Sequence, residues 1–248
     1  MMRALILGGT TEANLLAVTL ARARLAAIYS YGGRTRSPAH QPLPTRVGGF
    51  GGARGLADYI RCEGITHVVD ATHPFAAEMS RKTVAACTAT GTPLIALERS
   101  PWEKASGDDW IEVADVASAV AVLPEHPARV FLAIGRLHIA PFGARPQHAY
   151  TLRFVDPPES TLPFDAEVIV SRGPFTFESE VEMVRTRGIE WIVARNSGGN
   201  SARAKIDVAR VLGLPLIMIS RPRLPERPRV ENVAEVMQWL GHSAYLSA

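Results

Sequence analysis

Two glycines, two threonines and a carboxylate, Gly8-Gly9-Thr10-Thr11-Glu12, close a short apolar run and open a helical pattern. Glycine at such a turn lets a phosphate approach the backbone, and the free N–H groups and dipole of a helix start favour an anion. A tight structural turn is the alternative. The third glycine of the dinucleotide fingerprint is not filled, and Ala13 stands near it. After the second apolar run comes Ser30-Tyr31-Gly32-Gly33-Arg34-Thr35-Arg36. An NAD site places an acid here for the ribose hydroxyls, whereas this chain offers two arginines. That pattern suits a 2′-phosphate, hence NADPH over NADH, against the alternative of a basic surface loop.

Two further segments lie where strands end. Asp70-Ala71-Thr72-His73-Pro74-Phe75-Ala76 leads into a helix, and Pro fits a first helical turn because its missing N–H would be unpaired there. His73 is a candidate proton donor or cofactor contact, with a locally hydrogen-bonded histidine as the alternative. In Gly48-Gly49-Phe50-Gly51-Gly52, four glycines around one ring make either a linker or a loop that lies against a flat ligand. In the second half Gly135-Arg136, Ser171-Arg172-Gly173-Pro174-Phe175 and Asn196-Ser197-Gly198-Gly199 follow strands, and Lys205 comes shortly after. Arg99 and Arg221 follow the last strand of each half. Together these cations favour an anionic ligand.

The bulk composition narrows the classes. Of 248 residues 47% are hydrophobic and 21% charged, which suits a globular chain able to bury a core. The cations are 24 arginines and only 3 lysines, with net charge +3. Arginine makes planar bidentate contacts to carboxylates and phosphates, although a GC-rich coding sequence also explains the bias. The arginines are spread out, without the basic run and interleaved aromatics of a nucleic-acid surface. Cys62 and Cys87 sit among apolar helical residues without metal-site spacing, as in a reduced, cytoplasmic protein. No apolar stretch approaches the ~20 residues that span a bilayer, and the opening run to Leu7 reads as a strand, too short for a signal core. HExxH, EF-hand, P-loop and GxSxG patterns are missing, which disfavours a hydrolase or a metalloenzyme.

Strands and helices alternate along the chain. Short apolar runs are expected as buried parallel strands at residues 3–7, 26–30, 66–70, 94–97, 129–134, 168–170, 191–194 and 216–219. Helical periods lie between them, the first with Ala13, Leu16, Ala17 and Leu20 on one face. The pattern implies parallel sheets covered by helices.

The chain also echoes itself. Gly91-Thr-Pro93-Leu94-Ile95 through Arg99 matches Gly213-Leu-Pro215-Leu216-Ile217 through Arg221 at an offset of 122 residues. Val113 through Leu123 matches Val230 through Leu240. We expect two Rossmann-like α/β domains, 1–124 and 125–248, related by internal duplication, with a ligand cleft between them. The boundary is set at Pro124-Glu125-His126-Pro127, which interrupts both periods.

Taken in order, Leu7-Gly-Gly-Thr-Thr-Glu12, Gly33-Arg-Thr35, Gly48-Gly-Phe-Gly-Gly52, Asp70-Ala-Thr-His-Pro-Phe-Ala76, Arg172-Gly-Pro-Phe175, Asn196-Ser-Gly-Gly199 with Lys205, and Arg221-Pro222 resemble the precorrin-6A reductases of cobalamin biosynthesis. The resemblance runs over nearly the whole chain. It implies NADPH-dependent reduction of one double bond, of CH–CH or C=N type, in the precorrin-6A macrocycle to give precorrin-6B, without metal or flavin. It implies a main NADPH-binding first domain, with Gly8, Gly9, Thr10, Thr11 and Glu12 at the phosphates. Arg34 and Thr35 would meet the adenosine end, Gly49 and Phe50 the cofactor, and His73, Pro74 and Phe75 the nicotinamide ribose or ring. In the second domain Arg136, Arg172, Gly173, Asn196, Ser197, Gly198, Gly199, Lys205 and Arg221, together with Arg99, would receive the carboxylates of an anionic tetrapyrrole-derived substrate. His73 and Lys205 are the candidate proton donors, with solvent as the alternative. Asn14 departs from the basic residue expected there, and Ser30-Tyr31 from a commoner alanine before the glycines. Neither nucleic acid nor membrane is an expected partner, and transient contact with neighbouring pathway enzymes is left open. Competing readings are the cobalt-precorrin-6A reductase of the anaerobic route, a nucleotide-sugar transferase-like two-domain enzyme, and a non-catalytic binding module.

Overall fold

A computed structural model describes residues 2–33, 38–158, 160–173, 175–200 and 202–246, with side chains through residue 241. The expected contacts Arg34 and Thr35, and Pro174 of the second glycine motif, lie outside the described residues.

The first stretch runs β1 (Ala4–Leu7), α1 (Thr11–Arg22), β2 (Ala27–Tyr31), β3 (Thr45–Val47), α2 (Gly52–Cys62), β4 (His67–Asp70), α3 (Ala77–Thr90) and β5 (Leu94–Leu97). Next come β6 (Trp110–Val113), α4 (Val116–Ala121) and β7 (Arg129–Ala133). Two 3₁₀ turns, Arg136–His138 and Ala140–Ala144, stand where the first stretch has α1. The chain continues through β8 (Ala149–Phe154), β9 (Ala166–Val170), α5 (Phe177–Thr186), β10 (Trp191–Arg195), α6 (Ala204–Leu212) and β11 (Leu216–Ile219), and ends with β12 (Arg229–Val230) and α7 (Val233–Leu246).

These strands form two parallel six-stranded sheets, ordered β12-β5-β4-β1-β2-β3 and β6-β11-β10-β7-β8-β9. Mapping β1–β5 onto β7–β11 makes the two orders identical, as a duplication requires. The echo at Gly91 and Gly213 has a local cause. Each glycine ends a helix in the left-handed region, at φ 67° and 63°, which other residues adopt only at a cost. Each then feeds a buried strand.

The second echo carries a correction. The chain divides into one unit of Met1–Ser100 with Arg223–Ala248, and another of Pro101–Pro222, so the boundary expected at residue 124 falls inside the second unit. The reason is strand exchange. β6 pairs with β11 from Leu216↔Trp110 to Ile219↔Val113, while β12 pairs with β5 at Arg229↔Ala96 and Val230↔Leu97. Each terminal strand–helix unit thus joins the other half's sheet. Val236 and Leu240 of α7 are buried with Leu16 and Leu20 of α1 in the first unit's core.

Inner strands β1 and β4 of the first sheet are buried along their whole length. Ala4 and Ile6 face the α1–α7 layer, and Leu5 and Leu7 face Leu56, Ile60 and Ala86 of α2 and α3. In α1 the expected face, Ala13, Leu16, Ala17 and Leu20, is fully buried. Thr10 caps that helix by accepting the Ala13 N–H. In the second unit α5 and α6 cover Phe131, Ile192, Leu216 and Met218. Among the described residues no helix is long and apolar enough to cross a membrane.

Candidate functional site

The carboxyl ends of β1, β2, β3 and β4 open onto a cavity of about 320 Å³ within the first unit. Gly8, Gly9, Gly49, Phe50 and His73 line it, as do Ser30 to Gly33 at the end of β2. Thr10, Thr11, Glu12, Pro74 and Phe75, also expected at the cofactor, are not among its lining residues. Thr10 caps α1, Thr11 and Glu12 begin it, and Pro74 and Phe75 lie in the turn before α3.

A packed tyrosine shapes the glycine turn. The Tyr29 hydroxyl accepts the Gly9 N–H at 2.9 Å and donates to Asn14 Oδ1 at 2.7 Å. Gln41 Nε2 donates to the same Asn14 oxygen at 3.0 Å and to the Tyr31 hydroxyl at 2.6 Å. Tyr31 in turn donates to the Ala39 carbonyl at 2.8 Å. Burial pushes the Tyr29 hydroxyl well above the usual tyrosine range, so it keeps its proton and its donor role. Asn14, the departure noted in the sequence, is the acceptor at the centre of this network. Thr10 Oγ1 also donates to Ala71 O at 2.9 Å, tying the turn to the end of β4.

Across that end, Asp70 Oδ1 accepts from Thr72 N at 3.2 Å and Thr72 Oγ1 at 2.7 Å, shaping the approach to His73. The Phe75 N–H donates to His73 Nδ1 at 3.2 Å, which puts the proton of a neutral ring on Nε2. Glu12 and Arg99 form an ion pair at 2.8 Å with both side chains largely buried. Arg99 is therefore placed against the start of α1.

Sequence reasoning missed Arg46. From β3 it donates to Ser30 Oγ at 2.8 Å, Gly48 O at 2.9 Å and Gly49 O at 3.0 Å, with its guanidinium carbon 3.8 Å from the Phe50 ring centroid. Lone arginine flanked by β-branched Thr45 and Val47, just ahead of a glycine run, was the available signal. Met79 and Lys82 also line the cavity, and their spacing from Ala76 was a readable helical stripe.

The expected residues of the second unit are placed with different degrees of engagement. Asn196 exchanges two hydrogen bonds with the Trp102 backbone, at 2.7 and 2.8 Å, and Trp102 Nε1 donates to Gly199 O at 2.8 Å. Arg221 donates to the carbonyls of Asn196 at 2.9 Å and Ser197 at 3.2 Å. The Lys205 side chain is buried, its ammonium donating to Ala202 O and lying 4.9 Å from the Trp102 ring centroid. Arg221 thus braces Asn196 and Ser197, and Lys205 braces Ala202. Arg136 and Gly173 are exposed, and Arg172, also exposed, stands 3.7 Å from Asp156. Arg195, which the motifs did not single out, has a guanidinium nitrogen 3.3 Å from where a Cβ on Gly135 would stand.

Sheet order, glycine turn and cavity at the strand ends together define a Rossmann-like α/β protein. Residues 3–241 match the family model "Precorrin-6x reductase CbiJ/CobK". The precorrin-6A reductase of Rhodobacter capsulatus is 55% identical over 97% of this chain and 96% of its own length. A solved structure, "CobK precorrin-6A reductase", superposes with a TM-score of 0.95 at 55% identity, covering 98% of this chain and 97% of that one. The cobalt-precorrin-6A reductase of Priestia megaterium is more distant, at 27% identity over 89% of this chain and 91% of its own. The chain belongs to the precorrin-6x reductase family, and is an oxidoreductase of cobalamin biosynthesis.

Proposed function

We propose that the chain reduces one double bond of metal-free precorrin-6A with NADPH, the first unit holding the cofactor and the second receiving the substrate. The observation that carries the cofactor half is the cavity, whose β2 end at Ser30–Gly33 offers no carboxylate to a ribose. The residues present fit a dinucleotide: a Cβ at Gly9, Gly32, Gly48 or Gly49 would meet nothing within 4 Å, so space is kept open beside the backbone. The 55% identity to a relative named for the metal-free substrate, against 27% to one named for the cobalt form, supports the metal-free choice.

Bound NADPH supplies the hydride. Gly8 and the N–H groups at the start of α1 carry the phosphates, because the first amides of a helix have no intrahelical acceptor. Arg34 and Thr35 meet the 2′-phosphate end. His73 stands on the wall of the same cavity with its Nε2–H as donor. Exposed Arg136 and Arg172, with the Gly198–Gly199 backbone, receive substrate carboxylates through charge-assisted bonds. Arg221 and Lys205 hold that loop in place, and Arg99 holds the start of α1. For the proton, His73 and Lys205 stay the candidates beside solvent.

The test is NADPH oxidation with metal-free precorrin-6A, read by absorbance and product mass. Gain of two hydrogens, with NADPH preferred to NADH, is the expected result. Turnover of the cobalt substrate alone overturns the substrate choice. Replacement Arg34→Ala is expected to weaken NADPH far more than NADH, and equal losses remove Arg34 from the 2′-phosphate.

A further inference from the structure

We propose that Arg46 is the positioning residue of an adenine subsite in which the ring of Phe50 is the stacking wall. This rests on the NADPH reading above and extends it to a residue outside the glycine turn.

The sheet locates the subsite. In a sheet of this order the phosphates sit over the first strand, and the residue after the second strand meets the adenosine ribose, so the β2–β3 side carries the adenosine half. The cavity reaches onto that side, where Gly32 and Gly33 follow β2 and Gly48 to Phe50 follow β3, and Met79 of α3 lines it as well. Phe50, Met79 and Tyr31 are large enough to flank a flat heterocycle there.

Left to itself, the Phe50 loop is poorly suited to the task. Gly48, Gly51 and Gly52 have φ of 118°, 76° and 95°, conformations that glycine alone adopts freely and that cost entropy to fix. Arg46 fixes them. One guanidinium donates to the carbonyls of Gly48 and Gly49, anchors to Ser30 on the neighbouring strand, and covers the Phe50 ring at 3.8 Å. Tyr59 meets the ring edge-on at a centroid distance of 5.2 Å. The Phe50 carbonyl seats against Gly55, where a Cβ would fall 1.7 Å away. Ring and backbone of Phe50 are thus held before any ligand arrives, and prior ordering of this kind raises affinity by removing an ordering cost from binding.

The experiment uses the full chain and compares two fragments of the cofactor: 2′,5′-ADP for the adenosine half and reduced nicotinamide mononucleotide for the other. Arg46→Met keeps the stem and removes the fork. It is expected to raise the Kd for 2′,5′-ADP and the KM for NADPH about tenfold, while the Kd for the nicotinamide fragment moves less than about twofold. Arg46→Lys should not restore binding, since an ammonium cannot make the planar fork. Phe50→Leu should reproduce the selective loss and Phe50→Trp should retain binding. An unchanged Kd for 2′,5′-ADP in Arg46→Met, or equal losses for both fragments, overturns the proposal. Failure of the unmodified protein to bind either NADPH or 2′,5′-ADP instead removes the NADPH reading, and this proposal with it.

Discussion

Tyr29 occupies the space that any side chain on Gly8 would need: a Cβ there would lie 2.1 Å from the ring carbon that bears the hydroxyl. The phenol that excludes a side chain also accepts the next amide, Gly9 N–H, at 2.9 Å. Glycine at this turn is thus required by packing from beneath as well as by any ligand above. Gly8→Ala is expected to destabilise the protein by about 1–3 kcal/mol through overpacking, read as a lower denaturation midpoint, and to weaken NADPH binding. Trimming the tyrosine in Gly8→Ala/Tyr29→Leu should recover part of the stability. Additive losses in the double variant would show that the two residues are not coupled.

Arg153 and Glu180 form an ion pair in the second unit, with side chains 12% and 2% exposed. The guanidinium also lies against the rings of Phe131 and Phe175, at 5.0 and 3.7 Å. Glu180→Ala leaves a buried cation without its partner and should cost about 3–5 kcal/mol in denaturant unfolding. Replacing both partners by apolar residues, Arg153→Met with Glu180→Leu, should cost much less. A small loss in Glu180→Ala would mean that water reaches Arg153.

Two buried histidines set a limit at acid pH. Burial pushes both His67 and His148 below the ordinary histidine range, with the charges of Arg145 and His126 adding to the effect at His148. Among the described residues neither His148 nitrogen has a hydrogen-bond partner, and His67 Nε2 lacks one as well. Their folded values lie below the unfolded one, so the unfolded chain protonates first as pH falls. The stability they contribute is full above the unfolded value of about 6.5 and is lost as pH falls from there through the folded values. Melting temperature between pH 7.5 and 5 should therefore fall. In His148→Leu the slope should flatten, and an unchanged slope assigns the acid sensitivity elsewhere.

The thiols should separate cleanly. Cys62 is exposed, whereas Cys87 is buried and its thiol is pushed up to about 12, first by burial and then by the nearby Asp70 charge. A thiolate-reactive reagent should titrate one thiol in the native protein and two after denaturation. Loss of that single native reaction in Cys62→Ser would confirm which one reacts.

Much of this architecture was readable in advance because its causes are local. Leu94–Leu97 and Leu216–Ile219 are four-residue apolar runs set off by helix-ending glycines, and both are strands with those bounds. The buried face of α1 follows from the spacing of Ala13, Leu16, Ala17 and Leu20. β6 and β8 escaped notice, and so did short β3 and β12, because three residues with Thr45 and Val47 exposed and a two-residue strand have no period of their own. Their pairing comes from partners distant in sequence. The domain boundary failed for the same reason: Pro124–Pro127 is a real break in local pattern, but β6 had already been claimed by β11. At the site, glycines and His73 declared themselves by type, whereas Arg46 acts through carbonyls, a serine and a ring that only the fold brings to it. Arg221 shows the converse. Its charge suggested a ligand, and the folded chain turns it onto two main-chain carbonyls.

The exchange of β6–α4 and β12–α7 bears on how this chain can be divided. Cutting at the midpoint of the sequence yields no autonomous halves: each fragment keeps a five-stranded sheet with β5 or β11 bare, and carries a strand that belongs to the other. Bare hydrophobic edges template aggregation. Residues 101–222, by contrast, hold a whole six-stranded sheet in one continuous stretch, an insertion within the first unit. Expressed alone, that stretch is the piece to attempt; its host needs both the segment before it and the segment after it, and in a ribosome-borne chain it cannot complete its sheet until β12 has emerged.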